Sequence, residues 1–135
     1  IDAALEEERD YLRNIRLESL SNQADFLYFK REGKKNVGKF FLVVVTPKTS
    51  LSGVFLEDSL LTGIKVTKKF GNAVKRNNLK RRIRHMLREL VKMYPAFIKS
   101  LAYLIIPKAS LSLAKFELAL ADLVHLIKKI HNAYC

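Results

Sequence analysis

The sequence predicts one α/β layer, a single sheet with helices packed on it, and three observations carry that prediction. Two short runs, Phe40-Phe41-Leu42-Val43-Val44-Val45 and Ala102-Tyr103-Leu104-Ile105-Ile106, are dense in β-branched and aromatic residues, as buried strands are. Between them, from about Lys75 to Tyr94, runs a long amphipathic helical pattern. The order along the chain is helix, strands, helix, strand, helix, with no internal repeat or low-complexity tract. At 135 residues there is material for one core and not for two.

Residues 1–16 read as an acidic, helix-favouring N-terminal extension, and 17–135 as a single domain. In the extension Asp2, Glu6, Glu7, Glu8 and Asp10 outweigh Arg9, Arg13 and Arg16, which suits a solvated helix or a tail. From about Leu20 a short helix is expected, with Ser21 or Asn22 as N-cap, Phe26, Phe29 and Lys30 along it, and Gly33 ending it. Gly33 to Lys39 reads as a basic turn. The Phe40–Val45 strand is covered on both faces and ends at Pro47. Residues 48–58, with Ser50, Ser52, Gly53, Glu57 and Asp58, make a loop or a short hairpin arm. A second strand follows at about Leu60 to Thr67, with Leu61, Gly63, Lys65 and Thr67 on one face and Ile64 and Val66 on the other. Gly71 and Asn72 then break the chain.

The helix from Lys75 is the strongest element. Leu79, Ile83, Met86, Leu87, Leu90 and Tyr94 fall within an arc of about 100° on its wheel, and Pro95 follows at once. The third strand, from Ala102, is closed by Pro107. Ser110 or Ser112 is the expected cap of a last helix reaching about Ile130, whose Phe116, Leu120, Leu123, Ile127 and Ile130 share one face.

Charge supplies the functional reading. The chain carries 25 Lys plus Arg against 13 Asp plus Glu, a formal net charge of +12. A small domain so basic meets a polyanion, nucleic acid or an anionic membrane surface. From Lys65 to Lys92 there are 11 basic residues and one acid, Glu89, so 11 − 1 = +10 of that excess sits in about a fifth of the chain. Lys80, Arg81, Arg84, Arg88 and Lys92 share the helix face away from the apolar stripe, with Arg82 nearer its edge. A merely solvated face mixes signs at i,i+4. Here Arg84 and Arg88 stand four apart with no acid between them, which calls for a neutralising anion. Arginine suits phosphate, because its planar fork binds two oxygens and stacks on bases. The helix is committed to the core by its apolar face, which argues against its use on a membrane.

Other chemistries find little footing. The single cysteine, Cys135, excludes a disulfide framework and a cysteine metal site and fits a reducing, cytoplasmic setting. No run approaches the ~18 apolar residues of a spanning helix, and no secretory signal pattern opens the sequence. Glu57 and Asp58 are the sole adjacent acids outside the extension, and they suit a loop better than a metal site. His125 and His131 are six apart on a helix, the wrong interval for a shared metal, and His85 stands alone. No catalytic side chain and no metal bound by the protein itself is expected.

The run Lys68-Lys69-Phe70-Gly71-Asn72-Ala73-Val74-Lys75-Arg76-Asn77-Asn78-Leu79-Lys80-Arg81-Arg82-Ile83-Arg84 resembles the signature of the bacterial ribonuclease P protein, approximately K-K-x-G-N-A-V-x-R-N-R-x-K-R-x-x-R. The match is ungapped, and around it the resemblance runs from about residue 17 to the C-terminus. It implies an α+β sandwich ordered α-β-β-β-α-β-α, with a left-handed crossover through the basic helix. It also implies a subunit of a ribonucleoprotein that removes the 5′ leader of precursor tRNA, one protein per RNA. The RNA would carry the chemistry with its own bound Mg²⁺, and the protein would neutralise phosphates and position substrate. Carried across by position, Lys68, Lys69, Asn72, Arg76, Asn77, Lys80, Arg81, Arg84 and Arg88 face RNA. Phe26, Lys30 and Lys65 belong to a cleft for the single-stranded leader, although Phe26 suits plain core packing equally well. Asn78 replaces a usual arginine, Lys30 a usual aromatic, and Pro107-Lys108 an arginine-containing turn; the acidic extension is also atypical. The competing readings are a structural RNA-binding protein, a self-sufficient nuclease and a membrane-surface protein.

Overall fold

The computed structural model describes residues 16–56, 59–94 and 101–134. Five strands, β1 (Arg16–Ser19), β2 (Lys34–Val37), β3 (Phe41–Pro47), β4 (Ser59–Ile64) and β5 (Leu101–Pro107), form one mixed sheet in the order β1-β4-β5-β3-β2. β4 is parallel to both β1 and β5, while β3 is antiparallel to β5 and to β2. Among the described residues three helices pack on this sheet: α1 (Gln23–Glu32), α2 (Ala73–Met93) and α3 (Phe116–Tyr134). The parallel neighbours β4 and β5 are therefore joined through α2.

Strand alternation separates two cores. On one face Phe41, Val43, Val45, Leu60, Tyr103 and Ile105 meet Ile83, Met86, Leu87 and Leu90 of α2 and Leu123, Ile127 and Ile130 of α3. On the other, Val44, Leu61, Ala102 and Leu104 meet Leu20, Leu51 and Phe29 of α1. The alternation predicted for β4 holds, with Leu60 and Ile64 toward α2 and Leu61 and Gly63 toward α1.

Several boundaries differ from expectation. The segment read as a basic turn contains β2, which pairs antiparallel with Leu42–Val45. Its lysines disfavour a strand intrinsically, so the pairing comes from β3, and charges of this kind suit an edge that must not recruit another chain. β1 begins on Arg16, where the acidic extension was expected to end, and pairs with β4; the rest of that extension lies outside the described residues. Residues 48–56 hold a 3₁₀ turn, Lys48–Ser50, and no strand; Glu57 and Asp58 lie outside the described residues. Among the described residues the order of strands and α-helices is thus β-α-β-β-β-α-β-α, the expected one preceded by a short strand. Ser110 and Ser112 do not cap α3. They lie in a separate 3₁₀ turn, Ala109–Leu113, and α3 starts at Phe116.

The turn between β2 and β3 is gripped from three sides. Asp122 of α3 accepts hydrogen bonds from the backbone N–H groups of Lys39 (3.0 Å) and Phe40 (2.9 Å). The Lys108 ammonium donates to Gly38 O at 2.7 Å, and the Ser110 hydroxyl donates to Lys39 O at 2.9 Å. Lys108 is occupied by the fold here. A side chain at Gly38 would meet the Asp122 carboxylate within 3 Å, so the close approach requires glycine. Removing one partner from such a cluster costs about 1–3 kcal/mol for the groups left unsatisfied. Asp122→Ala should therefore lower the urea midpoint with an unchanged m-value, and Asp122→Asn, which keeps one acceptor oxygen, should lower it less.

Candidate nucleic-acid interface

The putting-together of the basic surface starts at the junction before α2. Lys68–Phe70 form a 3₁₀ turn that ends on Gly71, whose φ of 112° and ψ of −156° suit glycine and strain any other residue. A Cβ there would also approach Lys75 Cδ to 2.8 Å, so Lys75 lies tightly against the turn. Asn72 then caps α2, its side-chain oxygen accepting from Lys75 N at 3.0 Å. That explains why the helix begins at Ala73, two residues before the amphipathic pattern became visible.

α2 buries Ile83, Met86, Leu87, Leu90 and Val91. With that face fixed, Asn77, Arg81, Arg84, Arg88 and Lys92 are exposed on the outer side, and Lys80 is half-buried at its margin. The helix has one ion pair among the described residues, Glu89 with Lys92 at 3.5 Å. None of Lys80, Arg81, Arg84 and Arg88 is ion-paired within that set. Lys68 and Lys69, exposed in the preceding turn, extend the cationic surface beyond the helix start.

The motif does not act as a block. Arg82 turns inward and donates from Nη2 to Ala114 O at 2.7 Å, tying α2 to the segment before α3. Arg76 is half-buried, with Nε enclosed and without a partner among the described residues. Asn72 spends its oxygen on the cap. The exposed row Arg81, Arg84 and Arg88 is the part free to meet an anion.

A second feature lies on the α1 face of the sheet. Cross-strand pairing sets Val37 beside Leu42 and Leu42 beside Ile106. Lys65 N donates to Ile105 O at 3.0 Å, so β4's alternation carries Lys65 to the same end of the sheet. Leu42 and Ile106 are only half-buried, Lys65 is exposed, and Val37 is 67% exposed. The result is a half-open apolar shelf with a cation at one side. Phe26 of α1 overlooks it, half-buried, its ring lying where a Cβ on Gly63 would approach to 3.1 Å. Lys30 is exposed one turn further along α1. α1 is positioned by Asn22, which caps it, and by the buried Asp25, whose Oδ1 accepts from both Ser52 N and Ser52 Oγ at 2.8 Å. The family resemblance pointed to Phe26, Lys30 and Lys65 but not to Leu42, Ile106 or Asp25. The first two were indistinguishable from core until the length of α1 was known.

Among the described residues no group of three or more His, Cys, Asp or Glu is placed to hold a metal ion, and no helix is long and apolar enough to cross a membrane.

The family model described as Ribonuclease P matches residues 15–131. The chain belongs to the ribonuclease P protein family. It is 35% identical over 117 residues to the ribonuclease P protein component of Rickettsia bellii, covering 84% of this chain and 94% of that protein. To the ribonuclease P protein component of Rickettsia canadensis it is 36% identical over 114 residues, covering 82% and 95%. The solved RNase P protein from Thermotoga maritima superposes with a TM-score of 0.65 at 29% identity, over 83% of this chain and 96% of that one. For the RNase P protein of Staphylococcus aureus the TM-score is 0.64 at 25% identity, over 83% and 94%. The mixed five-stranded sheet with three helices is thus the α+β fold of ribonuclease P proteins, and the family is that of a protein component of a tRNA-processing ribonucleoprotein.

The dual use of the motif can be separated by measurement. Asn72→Ala should destabilise the protein by about 1 kcal/mol through loss of the cap, while Asn72→Ser restores most of it. Thermal unfolding of the three proteins checks this; equal melting of all three would mean that the cap contributes nothing.

Proposed function

We propose that the outer face of α2 binds the catalytic RNA of ribonuclease P, and that the shelf beside α1 receives the single-stranded 5′ leader of precursor tRNA. The observation that carries this reading is the row Arg81, Arg84 and Arg88, exposed and without acidic partners among the described residues, on a helix whose opposite face is locked into the core. Lys68, Lys69, Asn77 and Lys80 continue the same surface. A leader of varied sequence needs contacts that do not read bases. An apolar shelf with an aromatic ring and nearby cations, Phe26 with Lys30 and Lys65, offers stacking and phosphate neutralisation without sequence preference.

The chemistry is assigned to the RNA. Mg²⁺ held by that RNA would supply the activation of water and the stabilisation of the leaving oxygen, while this chain neutralises phosphates and holds the leader so that the scissile bond is placed. One protein serves one RNA, in the cytoplasm.

The deciding assay is 5′-leader cleavage at low Mg²⁺ with the protein alone, the RNA alone and both together. Strong stimulation in the mixture is expected. Binding without stimulation would leave a purely structural RNA-binding role, and cleavage by protein alone would overturn the division of labour. Arg81→Ala with Arg84→Ala should weaken RNA binding and flatten its log–log salt dependence by about 2, close to one counterion per phosphate contact; an unchanged slope would place the RNA elsewhere. Phe26→Ala should harm precursor binding more than mature tRNA binding, since only the precursor has a leader, and equal losses would reduce Phe26 to a packing residue.

A further inference from the structure

A cleft of about 280 Å³ opens on the flank of α2, to one side of the row Arg81, Arg84 and Arg88. It is lined by Phe70, Lys75, Asn78, Leu79, Arg82 and Ser112. Three separate pieces of chain meet there: the 3₁₀ turn before α2, the first turns of α2, and the 3₁₀ turn Ala109–Leu113. It is open to solvent along one side, and its size, near the ~300 Å³ at which sites for drug-sized ligands begin, suits a group about as large as one nucleotide.

The lining is chemically mixed in a specific way. Phe70 and Leu79 give apolar wall, Asn78 gives an amide that both donates and accepts, and Ser112 gives a hydroxyl. Lys75 and Arg82 supply two positive charges, and among the described residues no acid lines the cleft. Two of these groups are held in place before any ligand arrives. Arg82 is anchored through Nη2 to Ala114 O at 2.7 Å and retains further N–H donors. Lys75 packs its stem against Gly71, where any Cβ would approach Lys75 Cδ to 2.8 Å, so the lysine lies beside the turn that carries Phe70. Asn78 and Arg81 are three residues apart on the same helix, about 60° around it and about 4.5 Å along it. The cleft therefore adjoins the cationic row, and a strand lying on one can place a single residue in the other.

We infer that this cleft is a docking site for one unstacked nucleotide of the bound RNA, its base against Phe70 and Asn78 and its phosphate at Lys75 and Arg82. This rests on the RNA-binding reading above and adds a contact of a different kind. The arginine row acts by charge, whereas the cleft acts by stacking and hydrogen bonding and reads whether a base is extruded at that point. Asn78 belongs to it because a short amide leaves the cleft open, and it faces away from the centre of the arginine row.

The test sets two substitutions that leave the charge unchanged beside one that removes a charge. Phe70→Ala and Asn78→Leu should each weaken binding of the full chain to ribonuclease P RNA by about five- to tenfold, at the low end of the range for loss of one base–aromatic contact. Neither should alter the salt slope, whereas Lys75→Ala should reduce it by about 1. Melting curves report folding, and Asn78→Leu, at an exposed helical position, covers the case in which Phe70→Ala unfolds. Unchanged affinity in a folded Asn78→Leu protein would overturn the inference while leaving the arginine row intact. Failure of the parent protein to bind the RNA at all would instead sink the reading on which it rests. A direct probe is adenosine 5′-monophosphate titrated into the labelled protein. Shifts at Phe70, Asn78 and Ser112 that inorganic phosphate does not reproduce are expected, and identical shifts with phosphate alone would make the cleft an anion site without base recognition.

Discussion

The arrangement of this molecule depends on the parallel pairing of β4 with β5. Two parallel neighbours cannot be joined by a hairpin, so the chain must leave the sheet, travel its length and return. α2 does this with 21 residues, about 31 Å of helix, and in doing so has to lie on the sheet. Burying Ile83, Met86, Leu87, Leu90 and Val91 contributes on the order of 10 kcal/mol at about 1.5–3 kcal/mol per side chain. Repulsion between like charges four apart costs only about 0.2–0.5 kcal/mol per pair. The packing wins by a wide margin. A helix can therefore present a row of unneutralised arginines without leaving the sheet, and the direction in which that row faces is set by the core behind it.

The other face of the sheet shows the complementary situation. There α1 is the covering helix among the described elements, and its ten residues span about 15 Å. β3 and β5 have seven residues each, roughly 23 Å. One short helix cannot cover strands of that length, so part of the face stays open. Which part is decided by polar contacts at the other end. Asn22 caps α1 and also donates to Ser52 Oγ at 3.2 Å, and Asp25 accepts twice from Ser52, so the helix is held over Leu61 and Ala102. Leu42 and Ile106 are left half-covered at the far end. The shelf is thus a product of helix length and of a buried carboxylate 2% exposed, neither of which touches it.

Much of this was legible from residues alone, and the reasons for the remainder are physical. Dense β-branched runs announced β3 and β5, and a 100° apolar period announced α2 and the face it buries. Of the two caps expected for α1, Ser21 or Asn22, it is Asn22 that caps it, and Gly33 ends it as expected. β2 was hidden because Lys34-Lys35-Asn36-Val37 has no strand pattern of its own and becomes a strand only by pairing with β3. β1 was hidden for the same reason, being four residues beside an acidic segment. The start of α3 was misplaced because Ser110 and Ser112, good caps in isolation, are used in a 3₁₀ turn that grips the β2–β3 connection. The basic face was readable because charge and helical period are local. The shelf was not, because a half-buried Leu42 and a fully buried Val44 look alike until the reach of α1 is known.

The segment from Lys68 to Arg84 carries folding duties and, on the proposed reading, RNA contacts, and most of its residues serve one duty only, Arg82 being proposed for both. Gly71 supplies a positive φ, Asn72 the cap, Leu79 and Ile83 the core contacts, and Arg82 a tie to Ala114. These would be required of this backbone even if it met no RNA. Arg81 and Arg84, together with Arg88 beyond the segment, have no such employment among the described residues. A family signature read as a list of contacts therefore overstates the interface, since part of its constraint comes from building the turn and the helix start that aim the rest. The same division explains how Asn78 can stand where the family usually has arginine. It lies off the centre of the cationic row, so the phosphate neutralisation proposed for Arg81, Arg84 and Arg88 does not depend on it, and the position is left available for a contact of another kind.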